Sequence, residues 1–264
     1  MKIQVLVATM HQKQKDYSLL NKMNIQTDAI ICNQCDRNEF EKFAWNGHTI
    51  RWLSFAERGV GLNRNNALMR ADADICLFAD DDVVYYNGYA KVVENFYKSH
   101  TDADVVIFNF LVKRGDEEAY ELVKRARRVG RKGVTKFGTF CISVRNSAIK
   151  RKNINFHREF GGGSRYSHGE DSIFLQDCAK AGLHIYTCSK LIGYVNHGVS
   201  TWFKGYTDRF FFDKGVVYYT MVGKFARLAA LYHSIKHRGL YSEKGWRNAY
   251  RQILKGIEEG KTYY

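Results

Sequence analysis

Apolar residues fall in short runs, and their spacing changes along the chain. Ile3 to Ala8 is a β-branched apolar run with no helical period, which predicts a strand buried on both faces. Asp28 to Cys32 repeats the pattern, and Thr49 to Leu53 does so more weakly. Leu62, Ala67, Leu68 and Ala71 then recur at near-helical spacing and predict a helix over 61–71. Asp74 to Phe78 predicts a fourth strand, which ends abruptly in Asp80-Asp81-Asp82. A helix over 89–100 and a strand over 105–108 follow. The charged stretch 114–136 predicts a helix or a partly mobile segment, and strands are predicted over 140–144, 184–188 and 192–195. Phe174, Cys178 and Ala181 predict a helix after Asp171. Strands alternating with helices predict an α/β sheet of mainly parallel character.

From about Tyr206 onward, aromatic and basic residues recur at helical spacing. The chain is therefore expected to divide into a domain over 1–205 and a basic, aromatic-rich helical extension over 206–264. With no proline in 264 residues, no proline-rich hinge marks the boundary. Phe210-Phe211-Phe212, Val216 to Tyr219 and Phe225 alternate with Lys214, Lys224 and Arg227. Such a stripe suits either a helix at an anionic membrane surface or one packed on the main domain.

Charge narrows the partners. Lys and Arg outnumber Asp and Glu by 41 to 27, a net +14, which suits nucleic acid, an anionic membrane or a phosphorylated substrate. The segment from Thr201 onward carries twelve cations against five carboxylates, so half of the excess lies in the last quarter. Six cysteines with no secretory signal before them predict buried, reduced thiols of a cytosolic protein. Cys32 and Cys35 have redox or metal spacing, but with no second pair nearby a structural role is expected. No apolar run reaches the ~18–20 residues needed to cross a bilayer.

Three Asp-x-Asp patterns occur: Asp72 to Asp74, Asp80 to Asp82 and Asp102 to Asp104. Only the second follows a predicted strand, and open α/β sheets bind ligands beyond the carboxyl ends of their strands. Adjacent carboxylates raise one another's pKa or demand a cation. Mg²⁺ or Mn²⁺ answers that demand, because hard ions take carboxylate oxygens and bridge to phosphates. Alternation would let Asp80 and Asp82 face one site while Asp81 points elsewhere. A second constellation, His168-Gly-Glu-Asp171, follows the glycine-rich loop Phe160 to Arg165. Simple helix capping would explain its acids, but the loop allows close approach of a ligand, and a carboxylate there suits a general base. A lone His197 is by chemistry more often structural than a ligand.

In this order, the features resemble family 2 of the GT-A glycosyltransferases over roughly Ile3 to Trp202. The most specific parts are Glu57 to Ala67 (ERGVGLNRNNA), Leu77 to Asp82 and Gly169-Glu170-Asp171. The resemblance implies a GT-A nucleotide-diphospho-sugar transferase fold and inverting transfer from a nucleotide-sugar, with UDP-sugar expected. The acceptor implied is a hydroxyl of a glycan or lipid-linked molecule in cell-surface polysaccharide synthesis. It implies Thr9 and Asp36 at the nucleobase, Arg64 near base and phosphates, and Asp80 and Asp81 with the donor. It implies Asp82 and His197 as metal ligands, Asp171 as base, and Glu170, Gly162 and Trp202 at the acceptor. The cofactor implied is Mn²⁺ or Mg²⁺. Location is expected from the residues themselves: cytoplasmic from the cysteines, and peripheral on the inner membrane face if the tail's stripe meets a bilayer rather than the main domain. The family's frequent proline after the first strand is replaced here by Ala8-Thr9-Met10-His11.

Two other classes compete. A nucleotidyltransferase would carry a glycine- and lysine-rich phosphate loop near the start, yet Ala8 to Lys15 has no glycine. A basic nucleic-acid-binding protein fits the charge, but no recognised motif accompanies it, so nucleic acid is not expected as a partner.

Overall fold

The computed structural model describes residues 1–113, 119–131, 133–196, 205–241 and 245–263. Its first part contains β1 (Ile3–Met10), α1 (Ser18–Lys22), β2 (Asp28–Gln34), β3 (Glu39–Trp45), β4 (His48–Phe55), α2 (Val60–Arg70), β5 (Ile75–Asp80), β6 (Val83–Tyr85) and α3 (Tyr89–Ser99). There follow β7 (Val105–Lys113), β8 (Tyr120–Glu121), β9 (Arg127–Val129), β10 (Ile142–Arg145), α4 (Asn146–Arg151), α5 (Glu170–Lys180) and β11 (Ile185–Asn196). Three helices end the chain: α6 (Asp208–Val222), α7 (Ala226–Lys236) and α8 (Gly245–Tyr263).

One sheet runs in the order β3-β4-β2-β1-β5-β10-β7-β11-β6, with β8 beside β7 and β9 beside β11. Strands β4, β2, β1 and β5 are parallel, so Phe55, Gln34, Met10 and Asp80 finish on one edge. β10 enters antiparallel to both β5 and β7. The buried run of β1 follows from its central place: every residue from Ile3 to Thr9 is buried. Each fully buried side chain of this kind stabilises the fold by about 1.5–3 kcal/mol. Together with Ile31, Trp52, Phe78 and Phe108 these residues form the main core.

Several expectations change. A further strand, β3, was not expected: it is an edge strand with alternating exposure that pairs antiparallel with β4 through a tight Asn46-Gly47 turn at φ +48 and +81. Within 114–136 the described residues form the short strands β8 and β9 rather than a helix. Their pairing with β7 and β11 outweighs the helix-forming charged residues, because an open sheet edge offers hydrogen bonds. The strands expected over 184–188 and 192–195 are one strand, β11, whose register shifts between Cys188 and Gly193. That irregularity broke the alternation and made one strand read as two.

The terminal helices pack in two places. Phe211, Ala230, Ile253 and Ile257 form a cluster among themselves. Val216, Val217 and Met221 of α6 pack instead with Phe160, Tyr166 and Ile173 of the main sheet domain. α6 and α8 cross backbone to backbone at Gly215 and Gly256, where a side chain would meet the Ile253 or Phe212 carbonyl. The α6 stripe that suited a membrane is thus turned inward. All six cysteines are buried and free, and burial raises the Cys32 thiol well above its usual range.

Candidate active site

The parallel strands deliver side chains to their shared carboxyl edge. Thr9 ends the buried part of β1, and its hydroxyl donates to Asp81 Oδ2 at 2.6 Å. Asp36 lies just beyond β2 with its side chain 90% exposed, and Arg58 Nη2 reaches it at 2.7 Å. Asp80 is the last residue of β5, and Asp81 and Asp82 form the turn into β6. Burial raises the Asp81 carboxyl, and Asp80 and Asp82 add to the rise while Thr9 opposes it. Lys22 Nζ donates to the Asp81 carbonyl at 3.0 Å.

Helix α2 is fastened by its asparagines. Asn63 Nδ2 donates to the Cys32 carbonyl at 2.9 Å, and Asn65 exchanges two 2.8 Å bonds with the Phe156 backbone. Between them Arg64 is driven inward, its side chain only 6% exposed. Its Nη2 donates to Asp80 Oδ1 at 2.7 Å and its Nη1 to Glu170 Oε1 at 2.8 Å. Burial alone would lower the guanidinium pKa, but the two carboxylates overcome that and raise it. One arginine therefore joins the strand-end triplet to the second acidic motif, ninety residues later in the chain from Asp80 to Glu170.

The glycine-rich loop makes that junction possible. Gly161, at φ +96, lies so close to the Glu170 carboxyl and Val60 that a Cβ would fall 2.7 Å and 2.5 Å from them. The Gly162 carbonyl accepts from Val60 N at 2.9 Å, holding the loop to the start of α2. Gly169, at φ +107, is pressed against Val217 of α6 just before Glu170. Asp171 opens α5 beside it, half-buried, with Oδ1 accepting from Ser172 N at 2.6 Å. Loss of solvent, then the charge of Glu170, pushes its pKa up to about 7.

Helix α6, which no motif marks, also reaches the site. Asp213, fully buried, accepts from Ser167 N at 2.9 Å and Ser167 Oγ at 2.8 Å, and Arg209 pairs with its other oxygen at 2.8 Å. Lys214 lies within electrostatic range of Asp171; burial lowers its pKa and Asp171 opposes the fall. These residues follow Asp171 by some forty positions and belong to no motif, so no local signal marks them. His168 stacks on Phe210 with ring centroids 4.5 Å apart, and burial followed by Lys214 pushes its pKa down to about 3.

His197 and Trp202 lie outside the described residues. The strand before them ends with Asn196 N donating to the Asp82 carbonyl at 3.3 Å. Among the described residues, no three His, Cys, Asp or Glu side chains gather closely enough to hold a metal ion. A cavity of about 630 Å³ lies at the opposite edge, among Asp72, Asp74, Arg145 and Lys150, away from these carboxylates. Another of about 410 Å³ is lined by Lys124, Arg125, Arg127 and Lys136.

A sequence model described as Glycosyl transferase family 2 matches residues 18–158, just over half of the 264. The chain belongs to that family. No curated protein matches the sequence. Among solved structures the family 2 chain is similar to S. aureus TarS 1-349 in complex with UDP-GlcNAc, with TM-score 0.64 and 16% identity over 97% of this chain and 82% of that one. The same protein in complex with UDP gives TM-score 0.64 and 17% identity over 98% and 82%. Mannosyltransferase PcManGT from Pyrobaculum calidifontis, in complex with GDP-Man and Mn²⁺, gives 0.51 and 10% over 100% and 76%. At these identities the likeness bears on the fold, which is GT-A. Membership makes this chain a glycosyltransferase rather than a nucleotidyltransferase.

Proposed function

We propose that the chain is an inverting, divalent-metal-dependent transferase that moves a sugar from a UDP-sugar to a hydroxyl of a glycan or lipid-linked acceptor. In this reading residues 1–205 form the transferase domain, and 206–264 form a helical extension that completes the site. The observation that carries the reading is Arg64, which ties Asp80 of the triplet to Glu170 beside Asp171. Donor and acceptor groups then share one site.

Asp80, Asp81, Asp82, Glu170 and Asp171 outnumber the nearby cations Arg64, Lys22 and Lys214, so the site has room for added positive charge. The carboxylates are hard oxygen donors, which fit Mn²⁺ or Mg²⁺; Asp82 would hold the ion with Asp80 next to it, and His197 would add an imidazole nitrogen as a further ligand. Bound there, the cation would offset the charge that gathers on the departing diphosphate. The chain's own residues do the rest. Thr9 and Asp36 flank the nucleobase side, and Thr9 fixes Asp81. Arg64, with both Nη groups engaged, keeps Asp80 and Glu170 in register. Glu170, Gly162 and Trp202 border the acceptor.

Asp171 is the base. With a pKa near neutrality it takes the acceptor's hydroxyl proton as the oxygen bonds to the anomeric carbon. The bond from that carbon to the diphosphate oxygen breaks on the opposite face, its electron pair leaving with the nucleoside diphosphate. One displacement inverts the centre. Lys124, Arg125, Arg127, Arg128, Arg131 and Lys136 are exposed in the segment leading to Gly138, which packs near Asp171. They favour an acceptor that carries phosphate. A lipid-linked acceptor of that kind places the enzyme at the inner membrane face as a peripheral protein.

Calorimetric titration with UDP in the presence of Mn²⁺ tests the donor side. Asp82→Ala is expected to abolish binding while the melting temperature stays close to that of the parent. Equal affinity in the two proteins would remove Asp82 from the site.

A further inference from the structure

Helix α7 turns its small residues inward and its large ones outward. Ala226, Ala230 and Ser234, four residues apart, are buried, and α7 packs against α6 and α8. Leu228, Leu231, Tyr232 and Ile235, at i, i+3, i+4 and i+7, are exposed on the other face. Phe225 extends the stripe by one turn; it is 58% exposed, and Leu228 and Tyr232 are each 66% exposed. This is the spacing of a core-facing helix, yet the core side is occupied by alanine and serine. A single exposed leucine needs no explanation, but a continuous apolar helix face does.

Charge selects what covers it. From Lys214 to Tyr241 the sequence has five Lys or Arg and no Asp or Glu. Lys224, Arg227, Lys236 and Arg238 are exposed on α7 or at its ends. Arg227 pairs with Glu258 at 2.8 Å, and the other three make no ion pair among the described residues. A second copy of the chain, brought face to face about a twofold axis, would set these cations against one another. Anionic headgroups would neutralise them.

We propose that α7 docks the protein on an anionic bilayer, with Phe225, Leu228, Tyr232 and Ile235 among the acyl chains and Lys224, Lys236 and Arg238 at the headgroups. The proposal deepens the peripheral placement above by naming the surface responsible. It also sets the distance from bilayer to chemistry. Helix α6 presses Val217 against Gly169, two residues before Asp171, and packs against α7 as well. The acceptor site is thus one helix away from the docked face, which suits a hydroxyl carried near the headgroups.

The test attaches an environment-sensitive fluorophore to Tyr232→Cys in the full chain; the six native cysteines are buried and so compete poorly for the label. Phe40→Cys, on the far edge strand β3, is the control. With phosphatidylglycerol-containing vesicles the label at 232 should shift to the blue, and the label at 40 should not. Pure phosphatidylcholine should give a smaller shift. In co-sedimentation, Leu228→Ser/Ile235→Ser and Lys224→Glu/Lys236→Glu should each weaken binding about tenfold or more. Both pairs are exposed, so melting temperatures should be unchanged, and UDP–Mn²⁺ binding should also persist, so this proposal and the transferase reading fail separately. No shift at position 232 overturns the proposal. So does a concentration-dependent dimer that Leu228→Ser abolishes while vesicle binding is absent.

Discussion

Replacing Asp171 with Asn keeps the side chain's size and removes its charge, and the geometry predicts opposite effects on turnover and stability. The folded carboxyl holds its proton more tightly than the unfolded one, because solvent is excluded and Glu170 is adjacent. Its contribution to stability is therefore fully present below the ordinary value of 3.8 and is lost as pH rises through about 7. Ionised Asp171 then weighs against the fold. The rise from 3.8 to about 7 bounds that penalty at roughly 4 kcal/mol. Because Asp171 is only half-buried and part of the strain relaxes, about 2 kcal/mol is a reasonable expectation. For a chain of this size that corresponds to a melting temperature higher by about 4–8 °C in the Asn variant around pH 8. Near pH 4 the two proteins should melt together. Transfer should fall by about 10²–10⁴-fold, and wild-type kcat/KM should rise with pH through about 7. Differential scanning calorimetry in metal-free buffer across that range, paired with a transfer assay, reads both effects. An Asn variant that melts at or below the parent temperature around pH 8 would refute the burial argument. Transfer within a factor of about two of wild type would move the base elsewhere, with Glu170 next.

Arg64→Met leaves Asp80 and Glu170 facing each other without their shared cation, and urea denaturation should show a loss of about 3 kcal/mol. Arg64→Lys should restore part of that stability but not UDP binding, because one ammonium cannot span both carboxylates as the planar fork does. Asp213→Ala removes the acceptor of two Ser167 hydrogen bonds, so stability should drop by about 2–3 kcal/mol. The same change should raise the acceptor KM more than the donor KM, since the Ser167 to Asp171 segment loosens while the triplet is untouched.

Much of the sheet was legible because central strands carry their burial in their composition. Ile3 to Ala8 and Asp28 to Cys32 have no polar alternation to confuse the reading, and both are central parallel strands. The edge strand β3 carried its own signal, the Asn46-Gly47 pair between alternating residues, but the charged Glu39, Glu41 and Lys42 hid it. The triplet was distinguished from the other Asp-x-Asp patterns by its place after a strand, and β5 does end at Asp80. The structure also explains the asparagines around Arg64, which the sequence offered only as part of a resemblance. They are anchors, and they are why the arginine points inward. Asp213 and Lys214 were not legible at all. Their relation to Asp171 exists only through the packing of α6 on Gly169, a contact between distant parts of the chain. The stripe legible in the tail, Phe210 to Tyr219, is the one α6 turns largely inward, whereas the outward stripe Leu228 to Ile235 of α7 was not singled out, because it stands out only once Ala226, Ala230 and Ser234 are seen to fill the inner face.

The most direct measurement is a screen of UDP- and GDP-sugars for donor turnover, with Mn²⁺, Mg²⁺ or chelator present, analysed by chromatography of the released nucleotide. At least one UDP-sugar should yield UDP, chelator should stop the release, and Asp82→Ala and Asp171→Asn should suppress it. Release that continues undiminished in chelator, or in Asp82→Ala, would contradict the metal site. Turnover of GDP-sugars alone would contradict the donor assigned here, and no turnover of any donor would contradict the account as a whole.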